Sequence, residues 1–295
     1  MLPANALLAL AAAILWGGGD FSGGMGAKYA GGTVPGALRV VLTSHTAGLL
    51  VLTAIVLLRG DAPPHGAPLA WSVAAGLLGC LSVTAFYIAL SRGAMGASAA
   101  ISGLLAAAIP SAVSIAKEGR PGWLTMCGFL VAGYAIWLIA AGENPEAKPA
   151  SGGTIWLAVG SGAGFGVYFV ALKYAATAGL VWPMGIARLT SVLCATTILL
   201  VAALAFKSSP TANNVRWLSR KAVFWALVTA LGDTSGNMLF MAATRAGRLD
   251  VASVLASLYP ASTILLAAWA LHERPTRRQG IGMLVAAAAV VMITV

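Results

Sequence analysis

The chain has 295 residues, of which 59% are hydrophobic and only 9% charged, against about 25% charged in an ordinary soluble domain. With a mean hydropathy of +0.89 it cannot clothe a soluble surface, which excludes a soluble enzyme, an extracellular module and a disordered chain. The net charge of +10 comes from Lys and Arg set singly or in small groups between apolar blocks. No aromatic-interleaved basic stripe of the nucleic-acid-binding kind is present, so these charges are assigned to water and lipid headgroups.

The apolar blocks run for about twenty residues, the length that crosses a hydrocarbon core of about 30 Å. They do not alternate polar and apolar as barrel strands would. Ten helical spans are predicted, at 4–27, 34–58, 69–92, 96–116, 121–141, 154–176, 181–206, 221–245, 249–271 and 276–295. The first block has no basic leader segment and is expected to stay in the fold. Gly31-Gly32 with Pro35, Asp61 to Pro68, Gly93, Gly119 to Gly122, Lys207 to Asn214, Gly247 and Glu273 to Pro275 punctuate the spans. Pro110 and Pro260 fall inside spans 4 and 9, where each removes a backbone hydrogen bond and marks a kink or a cavity-facing carbonyl. Cys80, Cys127 and Cys194 lie within spans and read as small core residues, not as a disulfide framework or a zinc site.

Residues 143–153 are polar, Pro-bearing and central, and read as a linker between two related halves, 1–142 and 154–295. Gly17, Gly19, Lys28, Tyr29 and Ala30 align with Gly162, Gly164, Lys173, Tyr174 and Ala175 at one offset. Farther on, Gly79 aligns with Gly232, Arg92 with Arg245, and Arg120-Pro121 with Arg274-Pro275. Five spans per half force the halves into opposite orientations. The expected fold is therefore an all-α integral membrane protein of ten transmembrane helices, arranged as two inverted five-helix repeats around a central cavity, the plan of secondary transporters. With the N-terminus inside, Arg59, Lys117, Arg120, Lys173, Arg188, Arg245 and Arg248 are inside and the other basic residues outside, a count that mildly disfavours that orientation.

Of the eight acidic residues, six lie in or beside loops, and only Asp20 and Asp233 fall well inside spans. A carboxylate there costs at least about 2.5–3.5 kcal/mol on insertion scales, so it faces a wet cavity, pairs with a base or carries a proton. Contact with a substrate ammonium or proton coupling is one reading of both; a hydrogen bond to backbone freed by nearby glycines is the other. His45 sits mid-span in span 2, as a packing residue or a proton relay. Arg39 and Arg188 open spans 2 and 7 and are expected to snorkel to the interface. Trp16, Tyr87, Phe165, Tyr168 and Tyr259 lie deep or beside Gly, Pro or Asp, where they can stack on an apolar or cationic solute. Trp71, Trp123, Trp156 and Trp182 fit interface belts. The Gly-x-x-x-Gly pairs Gly19/Gly23, Gly160/Gly164, Gly162/Gly166 and Gly232/Gly236 are read as close helix contacts.

Motifs of soluble enzymes are missing. No Gly-x-x-x-x-Gly-Lys-Ser/Thr is present, and His272-Glu273-Arg274-Pro275 is not a zinc-protease motif. Ser161 with His45 is the nearest approach to a nucleophile and base, and it needs a geometry that spacing cannot supply. No catalytic residue, metal or cofactor is assigned.

Leu15-Trp16-Gly17 in the first span, and Pro260 followed by an apolar run to Leu271-His272-Glu273-Arg274-Pro275 and Gln279-Gly280-Ile281-Gly282, resemble the EamA family of the drug/metabolite transporter superfamily. In the first half Lys117-Glu118-Gly119-Arg120-Pro121 departs from that pattern by an inserted Gly. The resemblance implies a multi-pass protein of the cell inner membrane with a cytoplasmic N-terminus, exporting small amphipathic metabolites such as amino acids. It also implies a cavity lined by spans 1, 3, 4, 6, 8 and 9. Carried onto this chain, the substrate-binding set is Trp16, Asp20, Tyr87, Phe165, Tyr168, Asp233, Asn237 and Tyr259, with proton coupling open to Asp20, Asp233 and His45. The partners are a small-molecule substrate and the bilayer, without nucleic acid; a monomer is compatible with the sequence. The rival readings are an uncoupled facilitator, an intramembrane enzyme and a non-transporting scaffold.

Overall fold

The computed structural model describes residues 2–92, 95–140, 151–205, 218–271 and 276–295. Most of the central linker (143–150) and the motif His272-Glu273-Arg274-Pro275 lie outside them. The described residues form helices joined by short loops, with no strand among them. They form α1 (Ala4–Tyr29), α2 (Val34–Arg59), α3 (Ala67–Ser91), α4 (Met95–Glu118), α5 (Trp123–Ala140), α6 (Gly152–Ala175), α7 (Val181–Ala205), α8 (Arg220–Ala246), α9 (Leu249–Ala256), α10 (Tyr259–Leu271) and α11 (Arg277–Thr294). Among the described residues, eight helical stretches are long and apolar enough to cross a membrane, with α9 and the first part of α10 counted as one, 249–266. The 18-residue α5 is apolar but short. The 27-residue α8 falls short in apolarity because it carries Asp233, Asn237 and a basic residue at each end.

The helix limits follow from local chemistry. Thr33 Oγ1 accepts from Gly36 N at 3.2 Å at the start of α2, and Ser151, Ser219 and Thr276 cap α6, α8 and α11 in the same way. Such side chains replace the partners that the first turn's N–H groups lack. Gly60 ends α2 at φ +66°, a conformation that suits glycine. The predicted ninth span is two helices, interrupted at Ser257 and Leu258. Pro260 has no N–H to offer the Ala256 carbonyl, so the ladder stops there. Pro110, in contrast, lies inside α4 without ending it.

Packing is helix against helix: α1 runs along α8, α3 along α6, α5 along α11, and α2 faces α7. Glycines on both helices permit the close crossing of α1 and α8. A Cβ on Gly19 would come within 3.1 Å of Asp233 N, and one on Gly232 within 2.7 Å of Leu15 O. Backbones this close forgo side chains for van der Waals contact, the usual means of helix association in lipid. Thr229 Oγ1 donates to Gly19 O at 3.3 Å and Thr263 Oγ1 to Gly17 O at 3.2 Å, tying α1 to α8 and α10.

The loops sort into two ends of the bundle. At the N-terminal end, Asn5 packs on Gly247, Lys173 pairs with Glu118, and Arg248 donates to Gly119 O at 2.7 Å while holding the buried Asp250. Trp182 Nε1 donates to Asp61 O at 2.6 Å there. At the opposite end, Lys221 lies over the Tyr29 ring at 5.6 Å and Arg278 over Trp137 at 4.4 Å, while Gly32 meets Ser91 and Gly153 meets Arg92. Thus α1 starts at the N-terminal end and α6 at the opposite one. Leu58, Leu130 and Leu284 point outward, 88%, 78% and 74% exposed, an apolar surface suited to lipid.

Candidate functional site

A chamber lies in the middle of the bundle. Its volume of about 40 Å³, counted over positions of a water centre, has room for roughly three waters. α1 supplies Trp16 and Asp20, α2 His45, α3 Gly79 and Val83, and α6 Phe165, Tyr168 and Phe169. α7 supplies Arg188, α8 Asp233 and Asn237, and α10 Tyr259. The lining therefore includes α2 and α7, which the resemblance left out. Among the described residues, none that lines it comes from α4, which the resemblance put in.

One wall of the chamber is a polar network. Asp233 Oδ2 is 2.6 Å from Arg188 Nη2 and 3.4 Å from His45 Nε2. Asn237 Nδ2 donates to Asp233 Oδ1 at 2.9 Å and to the Asp233 carbonyl at 2.7 Å. Asn237 Oδ1 accepts from Tyr168 OH at 2.9 Å, and His45 Nδ1 lies 2.5 Å from Ser191 Oγ. The Arg188 contact is an ion pair by distance but not a hydrogen bond by angle, which leaves Nη2 and Nε, both buried, without an acceptor. A guanidinium this deep is held by the charge of Asp233, since a lone buried ion is far costlier than a pair. Asp20 stands apart: it faces the chamber with no ion pair or hydrogen bond among the described residues.

The rest of the wall is aromatic. Trp16 stacks on Phe169 with ring centroids 5.0 Å apart and planes 5° apart, and Phe169 meets Phe240 at 4.5 Å. Along α1, α6 and α8 these rings lie nearer the N-terminal end than Asp20, Phe165 and Asp233, so they floor the chamber on that side. Beyond them a recess of about 450 Å³ opens at the N-terminal end, lined by Arg59, Asp61, Trp182, Met238 and Arg245. Met238 adjoins Asn237, so the recess comes within one residue of the chamber. On the other side, the Tyr87 ring lies where a Cβ on Gly23 would go, with Phe86 beside it at 6.5 Å.

The structure thus brings together Trp16, Asp20, His45, Phe165, Tyr168, Asp233, Asn237 and Tyr259. Tyr87 is not among the lining residues. It is buried, 1% exposed, because its ring fills the space that Gly23 leaves. Arg188, expected at the interface, is 3% exposed. It lies seven residues after Val181, about 10 Å along the helix, too deep for its tip to reach the membrane surface. Ser161 does not meet His45: it bonds Ser102 Oγ at 3.3 Å and Ala158 O at 3.0 Å. His45 has Ser191 and Asp233 instead, a serine, an imidazole and a carboxylate in a row. Ser191 is 2% exposed and off the chamber wall, and Asp233 is shared with Arg188. The row therefore holds no reachable nucleophile and serves as a brace between α2, α7 and α8.

A membrane bundle with a charged, aromatic-walled chamber at its centre has the form of a multi-pass membrane transporter. Residues 152–295, a little under half of the chain, match the EamA-like transporter family. A solved crystal structure superposes with a TM-score of 0.70 over 98% of this chain and 96% of its own, at 17% sequence identity; that likeness establishes a shared fold. No curated protein matches the sequence.

Proposed function

We propose that the protein is a secondary transporter that exports small amphipathic solutes, amino acids among them, across the inner membrane by alternating access. The observation that carries this reading is the pair of carboxylates, Asp20 and Asp233, facing one central chamber within an apolar bundle. An intramembrane ionisable residue on a cavity wall is by default part of a solute or proton path. The alternation of loop ends and the matching pairs α1 with α8 and α3 with α6 support ten spans in two inverted repeats, 1–142 and 154–295. In that arrangement either half can open the chamber to its own side. The N-terminal end is taken as cytoplasmic, following the family. Trp16, Phe165, Tyr168, Asn237 and Tyr259 shape the solute's apolar part, and Asp20, Asp233 and His45 are the groups through which a proton is coupled.

The test is flux in proteoliposomes, with and without a pH gradient. Uptake driven by the gradient, and gradient-independent uptake in Asp20→Asn, support a proton-coupled exporter. Flux indifferent to the gradient in the unaltered protein makes it an uncoupled facilitator. No flux of any amino acid or amine removes the transport reading.

A further inference from the structure

The charge balance of the chamber bears on the charge of its solute. Four carboxylate, imidazole or guanidinium groups line it: Asp20, His45, Arg188 and Asp233. Arg188 and Asp233, 2.6 Å apart, cancel. His45 is satisfied as a neutral ring, with the Ser191 hydroxyl donating to Nδ1 across 2.5 Å and Nε2–H turned to Asp233 at 3.4 Å. The carboxylate of Asp20 is left over, among the rings of Trp16, Phe165 and Tyr259. As a carboxylate, Asp20 gives the chamber one negative charge without a counter-charge, which is costly at this depth and calls for a cation or a proton beside it.

A single positive charge neutralises it, and a cation beside aromatic faces gains further. A zwitterion leaves the surplus in place. Its own carboxylate must also displace Asp233 from Arg188 or lie against it, and like charges in a small buried cavity repel strongly. We infer that the chamber selects organic monocations, amines with an apolar body, over zwitterions and anions of the same shape, with Asp20 as the ammonium's partner. For its physiological meaning this rests on the transporter reading above, but its test does not require flux.

The test is calorimetric titration of the purified full chain in detergent with three probes of nearly one shape. Leucine amide is a monocation, leucine a zwitterion and 4-methylpentanoate an anion. Leucine amide is expected to bind about tenfold or more tightly than leucine, a modest fraction of what one unscreened charge contact can supply, with the anion weakest. Asp20→Asn should erase the difference between the amide and leucine, and Asp20→Glu should keep it. The unliganded unfolding midpoint of each variant checks that it is folded. If Asp20→Asn fails to fold, the ranking of the three probes on the unaltered protein still decides. Leucine binding as tightly as its amide, a preference that survives Asp20→Asn, or no binding of any probe would each overturn the inference. Intact selectivity without flux would sink the transporter reading alone, whereas equal flux and equal affinity for leucine and its amide would sink this one alone.

Discussion

Asp20 and Asp233 can be picked out from the sequence, because a carboxylate inside an apolar block has few reasons to be there. Their different situations cannot, since these depend on which neighbour arrives from a distant helix. The partner of Asp233 is Arg188, 45 positions earlier, and position along the chain alone suggested an interface anchor. Depth was the available signal: two turns into α7, Arg188 is itself a buried charge in need of a partner. The pair makes a stability prediction. Arg188→Gln or Asp233→Asn alone leaves an unpaired charge in the protein interior and should cost about 3–5 kcal/mol. The double variant should recover much of that, because neutral amides need no counter-charge. Thermal unfolding of the four proteins in detergent checks it, and additive losses would mean that the 2.6 Å contact contributes no coupling. Tyr168→Phe removes a single neutral hydrogen bond to Asn237 and should cost about 1 kcal/mol.

For helices the apolar block length was a dependable guide, and nine of the predicted spans correspond to single helices. The tenth, span 9, shows where that guide stops. Apolarity is continuous through Ser257 and Leu258, so only Pro260 hinted at the break, and a proline inside a helix can equally be absorbed, as Pro110 is. Tyr87 illustrates the same limit on a helix face. Sequence placed it deep in α3, correctly, but which way it points depends on Gly23 of α1 making room for its ring. That contact lies beyond the chamber, towards the end that holds Tyr29 and Ser91. Tyr87→Ala should therefore open the chamber to that end. In a variant with Cys80, Cys127 and Cys194 replaced, a cysteine at Val83 on the chamber wall should react faster with a membrane-impermeant maleimide applied from that side. Trp16→Ala should do so from the N-terminal side, because Trp16 and Phe169 floor the chamber there. Labelling from the wrong side in either variant would contradict these assignments.

At the scale of the whole molecule, the repeat in the sequence and the packing of the helices point the same way, yet the chamber does not obey the repeat. By the alignment of Gly17 with Gly162, Asp20 corresponds to Phe165; by that of Gly79 with Gly232, Asp233 corresponds to Cys80. Each carboxylate thus has an uncharged counterpart, so in the proposed transporter the motion belongs to the duplicated frame and the chemistry to substitutions made in one half only. The frame was legible because glycine contacts and span lengths recur in both halves, and the chamber was not, because its residues have no second copy to compare. The frame is testable without any substrate. The loops at 60–66, 119–122 and 247–248 gather at one end with Asn5, and those at 30–33 and 92 at the other. Single cysteines at Ala62 and Gly122 should be labelled by an impermeant reagent from one side of sealed vesicles, and cysteines at Gly31 and Ser151 from the other. Gly31 follows the first helix of the first half, whereas Ser151 precedes the first helix of the second. If they react from the same side, the two halves enter the membrane in opposite directions. Reaction of Gly31 and Ser151 from different sides would require parallel halves, and then α1 and α6 could not open the chamber by mirrored movements.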